Sequence, residues 1–132
     1  MDLTESWENY LETIYMLKQE KSFVRSIDVA TALEYSKASV SRAVGNLRDS
    51  DYIIVNDNGG LDFTEKGLLA AEAVYEKHIF LNRFLTAIGV DKKTAAQDAC
   101  RIEHVITETT FEQLKSFVAT HFTSVTEDLY DR

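Results

Sequence analysis

The order of elements between residues 26 and 63 constrains the fold most. Apolar spacing predicts two short helices, at 27–33 with Ser26 as N-cap and at 36–49, joined by a brief turn. Two such helices make a helix-turn-helix. The β-branched and aromatic run at 51–55, the turn sequence NDNGG and the returning LDF predict a β-hairpin. Together they predict a winged helix-turn-helix with a small hairpin wing.

The remaining chain is expected to be helical. An amphipathic pattern predicts a first helix over 4–20, and residues 64–88 predict a long one with too many apolar positions for one buried stripe. That helix is expected to link a first domain, residues 1–63, to a second, 64–132. Two further helices are predicted, at 91–105 and from Thr107 or Glu108 onward. The predicted fold class is mainly α: an N-terminal winged helix-turn-helix followed by a helical domain.

Charge is distributed unevenly along the chain. The net charge is −8, which argues against the simplest kind of nucleic-acid binder. Residues 21–48, however, carry five basic and two acidic side chains. Such a run is most often a solvated face, and the alternative is a surface that faces a polyanion. No apolar run is long enough for a membrane span, and one cysteine without a signal peptide predicts a cytoplasmic protein.

The second helix of the predicted helix-turn-helix carries the candidate DNA-binding residues. The N-terminal residues of such a helix reach base edges in the major groove, and Arg42 suits bidentate pairing with guanine. Two packed helices with polar exteriors remain the alternative. The acidic tip of the hairpin predicts a packing role. The predicted DNA-binding set is Arg25, Ser36, Lys37, Ser39, Ser41, Arg42 and Asn46.

Cys100, Glu103 and His104 form a cluster of metal-binding residue types. On a helix the spacing i, i+3 and i+4 places all three on one face. A thiolate, a carboxylate and an imidazole are suitable ligands for a divalent transition metal. The alternative is an ordinary helix with a buried thiol and a Glu–His pair at its surface.

Several motifs together resemble the diphtheria-toxin-repressor family of metal-dependent transcriptional regulators. They are YLETIY at 10–15, the winged helix, His78 followed by FL at 84–85, and ACRIEH at 99–104. The resemblance covers nearly the whole chain, which is similar in size to short, manganese-regulator-like members. It implies an N-terminal winged helix and a helical metal-binding and dimerisation domain.

The resemblance also implies a ligand set of mixed character. Cys100 matches the iron-sensing branch of the family, and Glu12 matches the manganese-sensing branch. Asn9 stands where the two branches carry Asp or Met, and a neutral amide oxygen is a weak ligand. The implied metal ligands are Glu12, His78, Cys100, Glu103, His104 and, with this departure, Asn9.

The function implied by the resemblance is regulation of transcription. Fe²⁺ or Mn²⁺ bound between the domains is expected to favour binding of a homodimer to a pseudo-palindromic DNA operator and to repress metal-uptake genes. Zn²⁺ and Co²⁺ are expected to bind in vitro, and no membrane partner is expected. One alternative is a winged-helix regulator with a degenerate metal site and another trigger. The other is a small metallohydrolase, disfavoured because HExxH, nucleophile-elbow and phosphate-loop motifs are absent.

Overall fold

The computed structural model describes residues 4–121, and in this range the chain is mainly helical, as predicted. It forms two compact units, Met1–Ala73 and Val74–Arg132, and the fourth helix crosses their boundary. The elements in order are α1 (Glu5–Glu20), α2 (Ser26–Leu33), α3 (Lys37–Asp49), β1 (Ile53–Val55), β2 (Leu61–Phe63), α4 (Glu65–Ala87), α5 (Lys92–Val105) and α6 (Glu108–His121).

The first unit is organised around α1. Thr4 caps this helix by accepting a hydrogen bond from the main-chain N–H of Trp7 at 3.1 Å. Leu11 and Ile14 on its inner face are fully buried and belong to the same core as Val29 and Leu47 of the helix-turn-helix. The predicted winged helix-turn-helix is therefore confirmed, with α1 completing its core.

The start of α2 differs from the prediction by one residue. Its N-cap is Arg25, whose backbone is extended with φ −118° and ψ 168°. The carboxylate of Asp28 accepts the Arg25 main-chain N–H at 2.8 Å, as in a capping box. Ser26 therefore occupies the first helical position. The prediction failed because an extended segment precedes the helix and fixes Arg25 outside it.

That extended segment belongs to the wing. β1 and β2 pair antiparallel with Ile53 opposite Phe63, and Arg25 forms a bridge with Gly60 beside them. The Leu61 N–H also donates to the carbonyl oxygen of Val24 at 2.7 Å. This third extended segment was not predicted from the sequence. It places the entrance to α2 directly against the wing.

The first predicted strand is shorter than expected. Asp51 adopts a left-handed φ of 68°, so residues 51 and 52 form a turn and β1 begins at Ile53. The wing is joined to α1 by Lys18, which donates from Nζ to the Leu61 carbonyl oxygen at 3.0 Å and pairs with Asp62 at 2.8 Å. The ammonium of Lys18 holds the pKa of Asp62 below its ordinary value.

The junction between the wing and α4 explains an unusual glycine. Thr64 caps α4 by accepting the Gly67 main-chain N–H at 3.0 Å. A Cβ atom at Gly67 would lie 1.7 Å from the main-chain carbonyl oxygen of Tyr52. The first turn of α4 therefore packs directly on the backbone before β1. Glycine is needed there for close approach, although it lowers helix propensity.

The second unit contains the rest of α4, α5 and α6. Gly89, with φ 111°, follows α4, and Asp91 caps α5 by accepting the Thr94 N–H at 3.0 Å. Phe80 and Phe111 are buried edge to face, with ring centroids 5.4 Å apart, and centre a second core. Among the described helices, none combines the length and apolarity that a membrane span requires.

Candidate metal centre and DNA-binding surface

The helix α5 brings the three predicted ligands of its cluster to one place. Cys100 Sγ, a carboxylate oxygen of Glu103 and a ring nitrogen of His104 all lie within 4.8 Å of one another. Cys100 is an exposed residue, whereas the side chain of Glu103 is fully buried and that of His104 is 3% exposed. The alternative of a buried thiol beside a surface Glu–His pair is therefore wrong, because the burial is the reverse.

His78 reaches the same carboxylate from α4. Its Nδ1 lies 3.3 Å from Glu103 Oε1, and His104 Nε2 lies 3.8 Å from the same oxygen. In the tautomer with the proton on Nδ1, His78 donates a hydrogen bond to this carboxylate. The second unit alone thus gathers two imidazoles, one carboxylate and one thiol.

The second carboxylate oxygen of Glu103, Oε2, indicates that this site binds a cation. Within residues 4–121, Glu103 Oε2 is buried and has no hydrogen-bond partner. A buried charged oxygen without a partner carries a desolvation cost that a bound cation would offset. Imidazole, carboxylate and thiolate groups are suitable ligands for a divalent transition metal. The residues present therefore fit the metal that the sequence implies, and the exposed Cys100 provides a side open to solvent.

The two remaining predicted ligands belong to the first unit. Glu12 lies on α1 and is 4% exposed. Asn9 lies one turn earlier, is half-buried, and accepts the Thr13 hydroxyl at its main-chain oxygen at 2.8 Å. His78, Cys100, Glu103 and His104 all belong to the second unit. Glu12 and Asn9 belong to the first unit, and their role as metal ligands remains a prediction.

The predicted DNA-binding residues of α3 fall into two groups. Ser36 is the N-cap; its hydroxyl accepts the Ser39 N–H at 3.1 Å and donates to the Ser39 hydroxyl at 2.9 Å. These two side chains therefore stabilise the start of the helix. The others on α3 are exposed, opposite a buried face of Val40, Ala43, Val44 and Leu47: Lys37, Ser41, Arg42 and Asn46.

A cavity of about 400 Å³ lies between the start of α2 and α3. Its lining consists of Arg25, Ser26, Ile27, Lys37 and Ser41. Three of these residues were predicted to contact DNA. Ser26 was not in the predicted DNA-binding set, because it was predicted to be the N-cap of α2. A hydroxyl next to the basic Arg25 at the start of a helix was the sequence feature that could have placed Ser26 in this lining.

Comparisons with known proteins agree with both halves of this description. The family model of the iron dependent repressor N-terminal DNA binding domain matches residues 2–61, and that of the metal binding and dimerisation domain matches residues 64–124. The chain belongs to the iron-dependent repressor family. It is a metal-dependent, DNA-binding regulator of transcription, and the resemblance noted in the sequence is confirmed.

Named relatives within this family are transcriptional regulators. The HTH-type transcriptional regulator MntR of Shouchella clausii is 37% identical over 87% of this chain and 80% of its own length. MntR of Bacillus subtilis is 35% identical over 87% of this chain and 81% of its own. The solved structure of the manganese regulator SloR is 25% identical with a TM-score of 0.76, covering 90% of this chain. This chain spans 55% of the SloR chain.

Proposed function

We propose that this family member senses Fe²⁺ or Mn²⁺ through His78, Cys100, Glu103 and His104. The observation that carries the proposal is the buried Glu103 carboxylate, which has a ring nitrogen of His78 at 3.3 Å and an oxygen without a partner in the described range. Such a group is costly to bury unless a cation compensates its charge. The metal-loaded form is proposed to bind operator DNA and to repress metal-uptake genes in the cytoplasm.

Glu12 is proposed as the ligand contributed by the DNA-binding unit. Glu12 is 4% exposed and lies on α1, the helix around which the first core is organised. A ligand from each unit would make metal affinity depend on how the units are held. By linkage, metal and DNA would then strengthen each other's binding, and a coupling of about 1–3 kcal/mol gives roughly 5- to 150-fold in DNA affinity. Asn9 is proposed at most as a weak additional ligand through its amide oxygen.

The choice between Fe²⁺ and Mn²⁺ depends on the mixed donor set. Carboxylates suit Mn²⁺ and Fe²⁺, whereas a thiolate shifts preference toward Fe²⁺, Co²⁺ or Zn²⁺. The similarity to relatives named MntR and to the manganese regulator SloR supports Mn²⁺ as the metal of this chain. The presence of Cys100 supports Fe²⁺ instead. Raw affinity follows the Irving–Williams order, so Zn²⁺ and Co²⁺ are expected to bind in vitro as well.

A homodimer is proposed as the DNA-binding form. The second half of the chain matches the model of a metal binding and dimerisation domain. Two copies related by a two-fold axis would present two α3 helices to successive half-sites, about 34–36 Å apart on a pseudo-palindromic operator. Lys37, Ser41, Arg42 and Asn46 are the exposed polar residues available on each α3.

The test uses a duplex selected from a randomised pool by the metal-loaded wild type. Glu103→Ala and His104→Ala are expected to abolish the metal dependence of duplex binding, and Glu112→Ala on α6 serves as a control that keeps it. Each variant is checked for folding by circular dichroism. Full duplex affinity without metal in the wild type would instead identify a regulator with another trigger.

A further inference from the structure

A cavity of about 710 Å³ lies between the end of α4 and the start of α5, within the second unit. This volume is in the range of pockets that hold small molecules. The lining residues of each helix are spaced at i and i+4, as on one helix face. They are Asn82, Arg83, Thr86 and Ala87 of α4 and Lys92 and Ala96 of α5. The cavity is therefore formed by two facing helix surfaces.

The composition of the lining does not suit a metal ion. Within the described part of the chain, the lining contains no carboxylate, imidazole or thiolate, which are the usual ligands of divalent transition metals. It contains instead the guanidinium of Arg83 and the ammonium of Lys92, two charges that repel a cation. The chemistry of the cavity is thus the opposite of that of the candidate metal centre.

Two polar side chains of the lining have hydrogen-bond donors that the protein does not use. Among residues 4–121, the ammonium of Lys92 makes no ion pair and the side-chain amide of Asn82 makes no hydrogen bond. Asp91, the acidic residue next to Lys92, is outside the lining, and its carboxylate accepts the Thr94 N–H at 3.0 Å. The hydroxyl of Thr86 is already used, because it donates to the Asn82 main-chain oxygen at 2.8 Å.

Arg83 and the start of α5 add to the positive potential of the cavity. A guanidinium has five N–H donors in a planar fork, so Arg83 can bind an oxyanion with some of them while others contact the protein. Lys92 is the first residue of α5, where the helix dipole places a partial positive charge. The cavity therefore combines two full positive charges, one unused amide and a positive helix end.

We propose that this cavity binds a small-molecule oxyanion, with a phosphate or carboxylate group held by Arg83 and Lys92. Hydrogen bonds between such charged partners are short and about twice as strong as those between neutral groups. Ala87 and Ala96 have no side-chain atoms beyond Cβ, which leaves space for the uncharged remainder of the ligand. Neither metal nor DNA takes part in this binding, which therefore goes beyond the proposed function.

The experiment is a nuclear magnetic resonance titration of the full chain, isotope-labelled and free of metal. Inorganic phosphate, glycerol phosphate and succinate are added separately at constant ionic strength. We expect saturable shifts of the Asn82 side-chain amide and of the main-chain N–H groups at the start of α5. The phosphate and succinate arms show which oxyanion the cavity prefers. Glycerol phosphate is expected to bind more tightly than inorganic phosphate, because it fills more of the cavity.

The charge of the cavity is tested with Lys92→Gln. This variant should weaken phosphate binding roughly 10-fold, because it loses a charge-assisted hydrogen bond. The matched control is Lys93→Gln, which removes the same charge from the next residue, an exposed position outside the lining. Phosphate affinity should be unchanged in this control.

The space in the cavity is tested with Ala96→Leu, which fills it without changing any charge. This variant should weaken the binding of both phosphate probes, whereas Gln97→Leu, at the adjacent exposed position outside the lining, should not. Ala96 is itself exposed, so the substitution does not disturb a buried core. Circular dichroism spectra identify any variant that fails to fold.

Three results would overturn the oxyanion site. The absence of saturable shifts with all three probes would show that the cavity does not bind this class of ligand. Equal weakening by Lys92→Gln and Lys93→Gln would indicate non-specific attraction to the start of α5. Unchanged binding in Ala96→Leu would place the anion outside the cavity. Because these titrations contain neither metal nor DNA, their failure is distinguishable from a failure of metal-dependent DNA binding.

Discussion

Replacing Glu103 by Gln is expected to stabilise the metal-free protein and to make the protein less stable than the wild type when metal is present. The carboxylate is fully buried, has ring nitrogens at 3.3 and 3.8 Å from Oε1, and has no partner for Oε2 among residues 4–121. Leaving a buried polar atom unpaired costs about 1–3 kcal/mol, and more when the group is charged. Glutamine keeps the shape and removes the charge. We therefore expect Glu103→Gln to raise the free energy of unfolding of the metal-free protein by roughly 1 kcal/mol, because burying an unpaired neutral amide costs less than burying an unpaired charge.

With metal present the order should reverse. A metal ion at one hundred times its dissociation constant stabilises the folded state by about 2.7 kcal/mol. The Glu103→Gln variant lacks the carboxylate that binds the metal and therefore loses this stabilisation. Urea unfolding followed by far-ultraviolet circular dichroism, in a chelator and in excess metal, measures both values. The control is Glu112→Gln: the side chain of Glu112 is 54% exposed, and its Oε2 lies 3.1 Å from Lys115 Nζ. That exposed pair contributes about 0.2–1 kcal/mol, with or without metal.

Two results would contradict the role of Glu103 as a metal ligand. If Glu103→Gln destabilised the metal-free protein, the carboxylate would be compensated by its protein neighbours and would need no cation. If the variant kept the full stabilisation by metal, Glu103 would not be a ligand. Neither result would affect the assignment of the chain to its family.

Three further predictions concern the DNA-binding unit. Gly67→Ala should lower the free energy of unfolding by about 1–3 kcal/mol, because its Cβ would overpack against the Tyr52 carbonyl. Gly45→Ala should raise it by about 0.5–1 kcal/mol, because its Cβ would meet only the end of the Arg48 side chain at 3.8 Å. Urea unfolding measures both changes. Lys18 depresses the pKa of Asp62, so the stability from this pair is present above the ordinary value of 3.8 and is lost as pH falls below it. Acid titration should show a smaller loss in Asp62→Asn. Arg42→Ala should weaken binding to the selected duplex in anisotropy measurements while metal affinity and dimerisation, measured by calorimetry and sedimentation, stay unchanged.

Much of the fold followed from local patterns. The helices α1, α3 and α5 were predicted close to their observed bounds because Thr4, Ser36 and Asp91 are side-chain N-caps next to amphipathic runs. The wing followed from its turn sequence. What the sequence concealed was long-range packing: the bridge between Arg25 and Gly60 joins residues far apart in the chain. Because of that pairing, the N-cap of α2 is Arg25 and not Ser26, and Ser26 lines the cavity beside α3.

The same limit applies to Gly67 and to the candidate metal centre. Glycine lowers helix propensity, and only the position of the Tyr52 carbonyl explains why Gly67 stands in the first turn of α4. The spacing of Cys100, Glu103 and His104 was sufficient to predict a shared helix face. Spacing within one helix could not show which of the three is buried. It also could not bring in His78, which entered through family resemblance and lies beside Glu103 in the structure.

Metal bound by His78, Cys100, Glu103 and His104 is proposed to control DNA binding. The most direct measurement is the affinity of the wild type for its selected duplex under anaerobic conditions, without metal and with Mn²⁺, Fe²⁺, Co²⁺ or Zn²⁺, with bound metal counted per subunit. We expect the affinity for DNA to rise roughly 5- to 150-fold with Fe²⁺ or Mn²⁺. Equal affinity with and without every metal would contradict it.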